Sequence, residues 1–248
     1  MLTGKVVVIT GAGSGLGREM AKAFCSRQAK VIGLGRSKEK LQQTADAIAD
    51  GEFQSYSVDV GDAQQVSEAF ADIIAKQGRI DILFNNAAVY PKINFLEETA
   101  NQWSDALATN VSGVANCCKA VLPSMLQHNF GRIFNLGSWA HLGPIADSAL
   151  YSCAKGAVHV LTKAIAVDLA DHHPDTDVEI HEWIPGHLNT QMSDYTGMDP
   201  AIAAGWAVDI ATKPPAPKKT SIYEQNWEWQ PPKSLKQRIL STLCFGRT

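Results

Sequence analysis

The chain has 248 residues, 45% of them hydrophobic and 19% charged, which excludes a disordered or fibrous protein and leaves ample apolar side chain for a buried core. Five scattered cysteines (Cys25, Cys117, Cys118, Cys153, Cys244) include no C-x-x-C pair, so neither a disulfide framework nor a zinc site is indicated and reduced thiols are expected. The net charge of −3 is unevenly divided: residues 213–248 hold seven Lys/Arg against two Asp/Glu, a basic tail expected to lie on its own acidic body or a neighbouring subunit, since no basic stripe elsewhere suits nucleic acid.

The apolar run at residues 6–9 is too short for a signal peptide or a membrane span, and a cytoplasmic protein is expected. Along the chain, short β-branched or apolar runs alternate with longer stretches of helical period. Strands are predicted at 5–10, 30–34, 53–58, 80–85, 132–136 and 178–183, and helices at 15–27, 37–49, 62–76, 103–126 and 151–171. This alternation builds a doubly wound parallel sheet covered by helices on both faces, a Rossmann-type, three-layer α/β/α single domain. Such sheets bind ligands outside the carboxyl ends of their strands. After Pro185-Gly186, residues 187–211 read as a lid-like substrate segment, a loop followed by a helix at 199–211 with Pro200 in its first position. The catalytic domain is expected over 1–212. Residues 213–248 follow as a tail packed on the same domain or a neighbouring subunit. It opens with the Pro-rich connector Lys213-Pro214-Pro215-Ala216-Pro217 and carries a strand at 221–224 and a short basic helix at 234–243.

Three motifs stand at the ends of these strands. Thr10-Gly11-Ala12-Gly13-Ser14-Gly15-Leu16-Gly17 joins the first strand to the first helix. Glycine permits the tight turn, and the helix N-terminus offers free N–H groups and a positive dipole end to a pyrophosphate. The second strand runs into Gly35-Arg36-Ser37. A carboxylate at that strand end would bind the ribose diol of NAD(H), but glycine stands there and an arginine follows, so NADP(H) is favoured over NAD(H). Tyr151 and Lys155 lie four residues apart, one turn along a helix face, where the ammonium favours the charged form of the phenol. Ser138, at the end of the strand over 132–136, brings a hydroxyl to the same cleft, placed to stabilise developing charge. The histidines show no metal spacing, and no metal is expected.

In this order, these motifs resemble the classical short-chain dehydrogenase/reductases over roughly residues 3–190. Thr10, Gly11, Gly15 and Gly17 match the family's T-G-x-x-x-G-x-G turn. Asp59, in Val58-Asp59-Val60, matches its position beside the adenine ring, and Asn86, Ala87 and Ala88, in Asn85-Asn86-Ala87-Ala88, match its N-N-A-G element, with Ala88 in place of glycine. Asn110, Ser138, Tyr151 and Lys155 match the catalytic tetrad without substitution; in the family, the residue matching Asn110 interrupts a long helix and holds a water linked to the lysine. Pro185-Gly186-His187-Leu188-Asn189-Thr190 matches the P-G element and the threonine that contacts the carboxamide.

The resemblance implies a dinucleotide held by Gly11, Ser14, Gly15, Leu16, Gly17, Arg36, Ser37, Asp59, Val60, Asn86, Ala87, Ala88, Tyr151, Lys155, Pro185, Gly186, Leu188 and Thr190. It implies direct hydride transfer between C4 of the nicotinamide and a small alcohol or carbonyl substrate, with Tyr151 carrying the oxygen-bound proton. Trp139, His141, His187, Met192 and Tyr195, which flank the motifs, are expected to line the substrate pocket together with Tyr90. The family's usual ending helps form a tetramer; the Pro-rich connector replaces it here, so homodimer and homotetramer both stay open. A non-catalytic dinucleotide sensor on the same fold is the alternative, and the intact tetrad speaks against it. A sugar-nucleotide epimerase is disfavoured by the short chain.

Overall fold

The computed structural model describes residues 2–216 and 219–230. The predicted strands form as β1 (Val6–Thr10), β2 (Lys30–Gly35), β3 (Glu52–Ser57), β4 (Ile82–Asn85), β5 (Phe130–Leu136) and β6 (Asp177–Ile184). The strand predicted at 221–224 forms as β7 (Ile222–Glu224), and one more, β8 (Trp227–Trp229), continues the same sheet. The order is β3-β2-β1-β4-β5-β6-β7-β8, parallel throughout except that β8 runs antiparallel to β7. Strand order reverses between β1 and β4, which opens a crevice at their carboxyl ends.

The helices are α1 (Gly15–Cys25), α2 (Lys38–Asp46), α3 (Ala63–Gln77), α4 (Ala100–Leu107), α5 (Gly113–Gln127), α6 (Ala149–His172) and α7 (Pro200–Ala211). β1 is buried along its whole length and its side chains alternate between two cores. Val7 and Ile9 pack with residues of α1, α2 and α7; Val6 and Val8 pack with α3, α5 and α6. On the first face, Phe84 stacks on Phe134 at 4.8 Å and meets the edge of Trp183 at 5.9 Å. These layers make a single α/β domain. No helix among the described residues is long and apolar enough to cross a membrane.

The continuous helix predicted over 103–126 is interrupted. α4 ends at Leu107, Ala108–Ser112 form a wider π turn, and α5 resumes at Gly113. Gly113 fits against Val60, whose Cγ2 would lie 2.6 Å from any added Cβ. The helix predicted at 199–211 forms as Pro200–Ala211, capped by Asp199, which accepts from Ala201 N at 2.9 Å. β8 is absent from the sequence reading. Its three residues carry too little alternation to register, and the turn before it puts Gln225 at φ 57°, a left-handed conformation in a residue that does not advertise it. The basic helix predicted at 234–243 lies outside the described residues.

β7 is fastened to β6 by a buried polar cluster. Arg132 pairs with Asp177 at 2.7 Å and with Glu179 at 3.3 Å, and Glu179 also lies 3.2 Å from His181 Nε2. His181 Nδ1 accepts from Ser221 N at 3.0 Å, so its proton sits on Nε2 and the ring is neutral. Burial holds the His181 pKa below the ordinary imidazole value despite the attraction of Glu179. Because the unfolded chain takes up a proton near pH ~6.5 that folded His181 refuses, stability should decline as pH falls through that value toward the lower folded pKa. The expected result is a Tm that drops between about pH 7 and pH 5, and a shallower drop in His181→Gln, measured by thermal unfolding across that range. Parallel curves for the two proteins would sink the assignment.

Candidate active site

The crevice is built from the residues at the β1 and β4 ends. Thr10 Oγ1 accepts from the backbone N–H groups of Asn86 and Ala87, both at 2.9 Å, and Asn86 Nδ2 donates to Thr10 O at 2.8 Å. Gly11 turns the chain with φ 68°, and Gly17 lies so close to it that an added Cβ would stand 2.2 Å from Gly11 O. Leu16 is buried beneath this turn. Arg18 fixes the loop from outside, donating from Nη2 to Gly13 O at 2.7 Å and from Nε to Thr44 Oγ1 at 3.1 Å. Neither Arg18 nor Thr44 was singled out in the sequence, since nothing marks a helix arginine as the brace of a glycine turn.

Ser14 precedes α1 but makes no side-chain cap, so the first-turn N–H groups of the helix have no side-chain partner. Across from them, Thr190 faces Gly15, with its Cγ2 3.2 Å from where a Cβ would stand. Pro185 and Gly186, the latter at φ 96°, and the buried Leu188 lead the chain from β6 to that point. An uncapped helix N-terminus behind a glycine turn is the donor set a pyrophosphate requires, and these residues fit a nicotinamide dinucleotide.

At the adenosine end, Ser37 caps α2 by accepting from Lys40 N at 3.2 Å, and Gly35 closes β2. The Arg36 guanidinium lies 4.0 Å from Asp59, with side chains 64% and 40% exposed. A pair this long and exposed is weak and leaves the guanidinium free to take another anion. Asp59 accepts from Gly61 N at 2.9 Å, and Val60 O accepts from Asn116 at 3.0 Å. Ala88 is half-buried just past this wall.

The four tetrad residues come from three segments: Asn110 from the π turn, Ser138 from the end of β5, and Tyr151 and Lys155 from α6. Asn110 sits in the π turn, 1% exposed, and its amide clamps the backbone of Val89, accepting from Val89 N and donating to Val89 O at 2.8 Å each. Tyr90, next in the chain, stacks on Tyr151 with ring centroids 4.4 Å apart. Ser138 follows β5 and accepts from Ala140 N at 3.1 Å. Lys155, 4% exposed, lies with its Nζ 5.5 Å from the centre of the Tyr151 ring and donates to Leu136 O at 2.7 Å. Burial pushes the Tyr151 pKa up, and a hydrogen bond with Ser138 works against that rise. Burial also pushes Lys155 down to about 8, opposed by the charge of Glu182.

A buried polar ladder sets the height of α6 against the sheet. Asn85 Nδ2 donates to Asn135 Oδ1 at 2.8 Å, Asn135 Nδ2 to Thr162 Oγ1 at 2.9 Å, and Thr162 to Val158 O at 2.8 Å. Asn85 opens the N-N-A-G element, whereas Asn135 and Thr162 belong to no motif; together they hold the helix that carries Tyr151 and Lys155.

The residues expected around the substrate separate into two groups. Trp139 donates from Nε1 to Glu224 at 3.0 Å and packs on Trp229 at 5.3 Å, so it faces the β7–β8 hairpin. His141 stacks on His159 at 4.7 Å. Met192 and Tyr195 are exposed in the segment after β6, where His187 Nε2 lies 2.9 Å from Thr196 Oγ1. That segment is tied to the chain beside Tyr90 by an ion pair between Lys92 and Asp194. No cluster of metal ligands occurs among the described residues.

Residues 5–200 match the family model described as short chain dehydrogenase. The chain is 34% identical over 209 residues to meso-2,3-butanediol dehydrogenase of Serratia marcescens, covering 84% of this chain and 77% of that protein. Among solved structures, it superposes on a metagenomic short-chain oxidoreductase in complex with NADP (TM-score 0.79, 26% identity, 91% of this chain and 99% of that one). It also superposes on a 3-ketoacyl-(acyl-carrier-protein) reductase from Brucella melitensis complexed with NADH (TM-score 0.80, 25% identity, 90% and 97%). The family match spans the whole of the crevice and the tetrad just described: the chain belongs to the short-chain dehydrogenase/reductase family of oxidoreductases.

Proposed function

We propose that the protein is an NADP(H)-dependent oxidoreductase that interconverts an alcohol and a carbonyl compound, with Tyr151 as its acid and base. The observation that carries this reading is the buried Lys155 one helical turn from Tyr151, beside the hydroxyl of Ser138. When bound, the nicotinamide supplies or accepts the hydride. The chain does the rest: Ser138 hydrogen-bonds the substrate oxygen, Tyr151 gives it a proton in reduction and takes one in oxidation, and the Lys155 cation stabilises the phenolate. Asn110 keeps the Val89–Tyr90 backbone against this group. Gly11, Ser14, Gly15, Leu16 and Gly17 would receive the pyrophosphate, Asp59, Val60, Asn86, Ala87 and Ala88 the adenosine side, and Pro185, Gly186, Leu188 and Thr190 the carboxamide. His187, Met192 and Tyr195 would close over the substrate. The relationship to a butanediol dehydrogenase favours small hydroxy or carbonyl compounds.

Preference for NADP(H) rests on Gly35 at the end of β2 and on the exposed, weakly paired Arg36. Buried and unpaired Cys25, Cys117 and Cys118 suit a reducing cytoplasmic setting. Assembly as a homodimer or homotetramer through α6 is favoured by Val160, Ala164 and Val167, which form an exposed apolar stripe at helical spacing along that helix.

Tyr151→Phe should lower turnover at least ~10³-fold while NADPH affinity changes less than about threefold, since only the transferable proton is lost; assays of turnover and cofactor fluorescence read both, and near-normal turnover would reject the role. In titrations with NADPH and NADH, wild type should bind NADPH about tenfold or more tightly, and Arg36→Ala should erase that advantage, a loss of roughly 1.4 kcal/mol. Equal affinities in wild type would remove Arg36 from the site. Introducing Val160→Asp together with Val167→Asp should halve the sedimenting mass if α6 forms the interface, whereas an unchanged mass would place it elsewhere.

A further inference from the structure

Beneath Lys155 lies a buried ionisable pair that the scheme above does not use. Glu182, on β6, is 2% exposed, and its Oε2 lies 2.6 Å from Nδ1 of His159, one turn beyond Lys155 on α6. Its other oxygen, Oε1, is buried with no hydrogen-bond partner among the described residues. That oxygen is pressed against the end of β5, where a Cβ on Gly137 would meet it at 2.1 Å. Gly137 stands between Leu136, whose carbonyl accepts from Lys155, and Ser138. Glu182 thus reaches the backbone that separates two members of the tetrad.

Burying a carboxylate oxygen without a donor is costly unless a nearby cation compensates it. Two cationic side chains are buried among the described residues. Arg132 is already paired with Asp177 and Glu179, whereas Lys155 has no carboxylate within ion-pair distance. We infer that Glu182, held in place by His159, is a positioning residue for the reaction: its buried negative charge keeps Lys155 protonated while Tyr151 exchanges its proton with the substrate. This rests on the Tyr151–Lys155 reading given above.

The titratable groups around the site are Tyr151, Lys155 and His159 from α6, Glu182 from β6, Tyr90 after β4, and His141 in the short 3-10 turn over Trp139–His141. Glu182 is the one carboxylate among them, and its charge acts against the burial that pulls the Lys155 ammonium down to about 8. His159 is braced from behind by its stack on His141, whose Nδ1 lies 2.6 Å from Ser138 O.

Removing the Glu182 charge should therefore let Lys155 lose its proton at lower pH. The test follows the Lys155 Cε resonance of isotopically labelled full-length protein through a pH titration, with the signal assigned by its disappearance in Lys155→Met. In Glu182→Gln the midpoint should fall by about one pH unit or more, while Glu182→Asp, which keeps the charge, should stay near wild type. Where a carbonyl substrate is turned over, the alkaline limb of reduction should move with it. Should the glutamine variant not fold, Glu182→Ala removes the charge without leaving amide hydrogens to be satisfied beside Gly137, and serves in its place. An unmoved Lys155 midpoint, with or without a lower Tm, overturns the inference and reduces Glu182 to a packing residue. Near-normal turnover by Tyr151→Phe is the separate result that defeats the underlying reading.

Discussion

The hydroxyl of Thr10, with the side chain of Asn86 returning to the Thr10 carbonyl, holds β1 and β4 together where the sheet changes direction. On either side of this stitch the connecting helices pass to opposite faces, so the backbone is left open only here. The glycine turn, the uncapped start of α1 and the Val89–Tyr90 segment all take their positions from it. A parallel sheet supplies the crevice through its connectivity; a few side-chain hydrogen bonds decide how wide it stands.

The catalytic helix is placed by a different device. Apolar packing alone would allow α6 to slide along the sheet at small cost, whereas the ladder Asn85–Asn135–Thr162 must stay in register to remain satisfied. The ladder reaches α6 two turns beyond Lys155, and the Glu182–His159 pair reaches it one turn beyond. Polar contacts in an otherwise apolar layer thus fix the height of the phenol relative to Ser138. Tyr90 adds a flat surface against the ring and restricts its rotation.

Much of this was legible in the sequence because it obeys local rules. Strand alternation, the glycine turn and the Tyr151–Lys155 spacing each state their geometry within a few residues. The partners that tune them do not. Glu182 and His159 are separated by 23 positions and meet only because α6 crosses back over β6, and the need for glycine at 137 is invisible until the carboxylate beside it is seen. Trp139 follows Ser138 in sequence, yet its side chain turns toward residues more than 80 positions away. The split of the long helix at Ala108–Ser112 was marked only by Asn110, a poor helix former whose amide is spent on Val89.

The β7–β8 hairpin is the thinnest part of the sheet, three residues to a strand, and it is also where Trp139 is moored through Glu224. An edge of that kind opens at a smaller free energy than the buried centre. Its detachment would release the loop after Ser138 while β1, β4 and β5 remain intact. On this geometry, heat is expected to inactivate the protein ahead of the loss of its secondary structure, with durability in use set at the margin of the described sheet instead of its core.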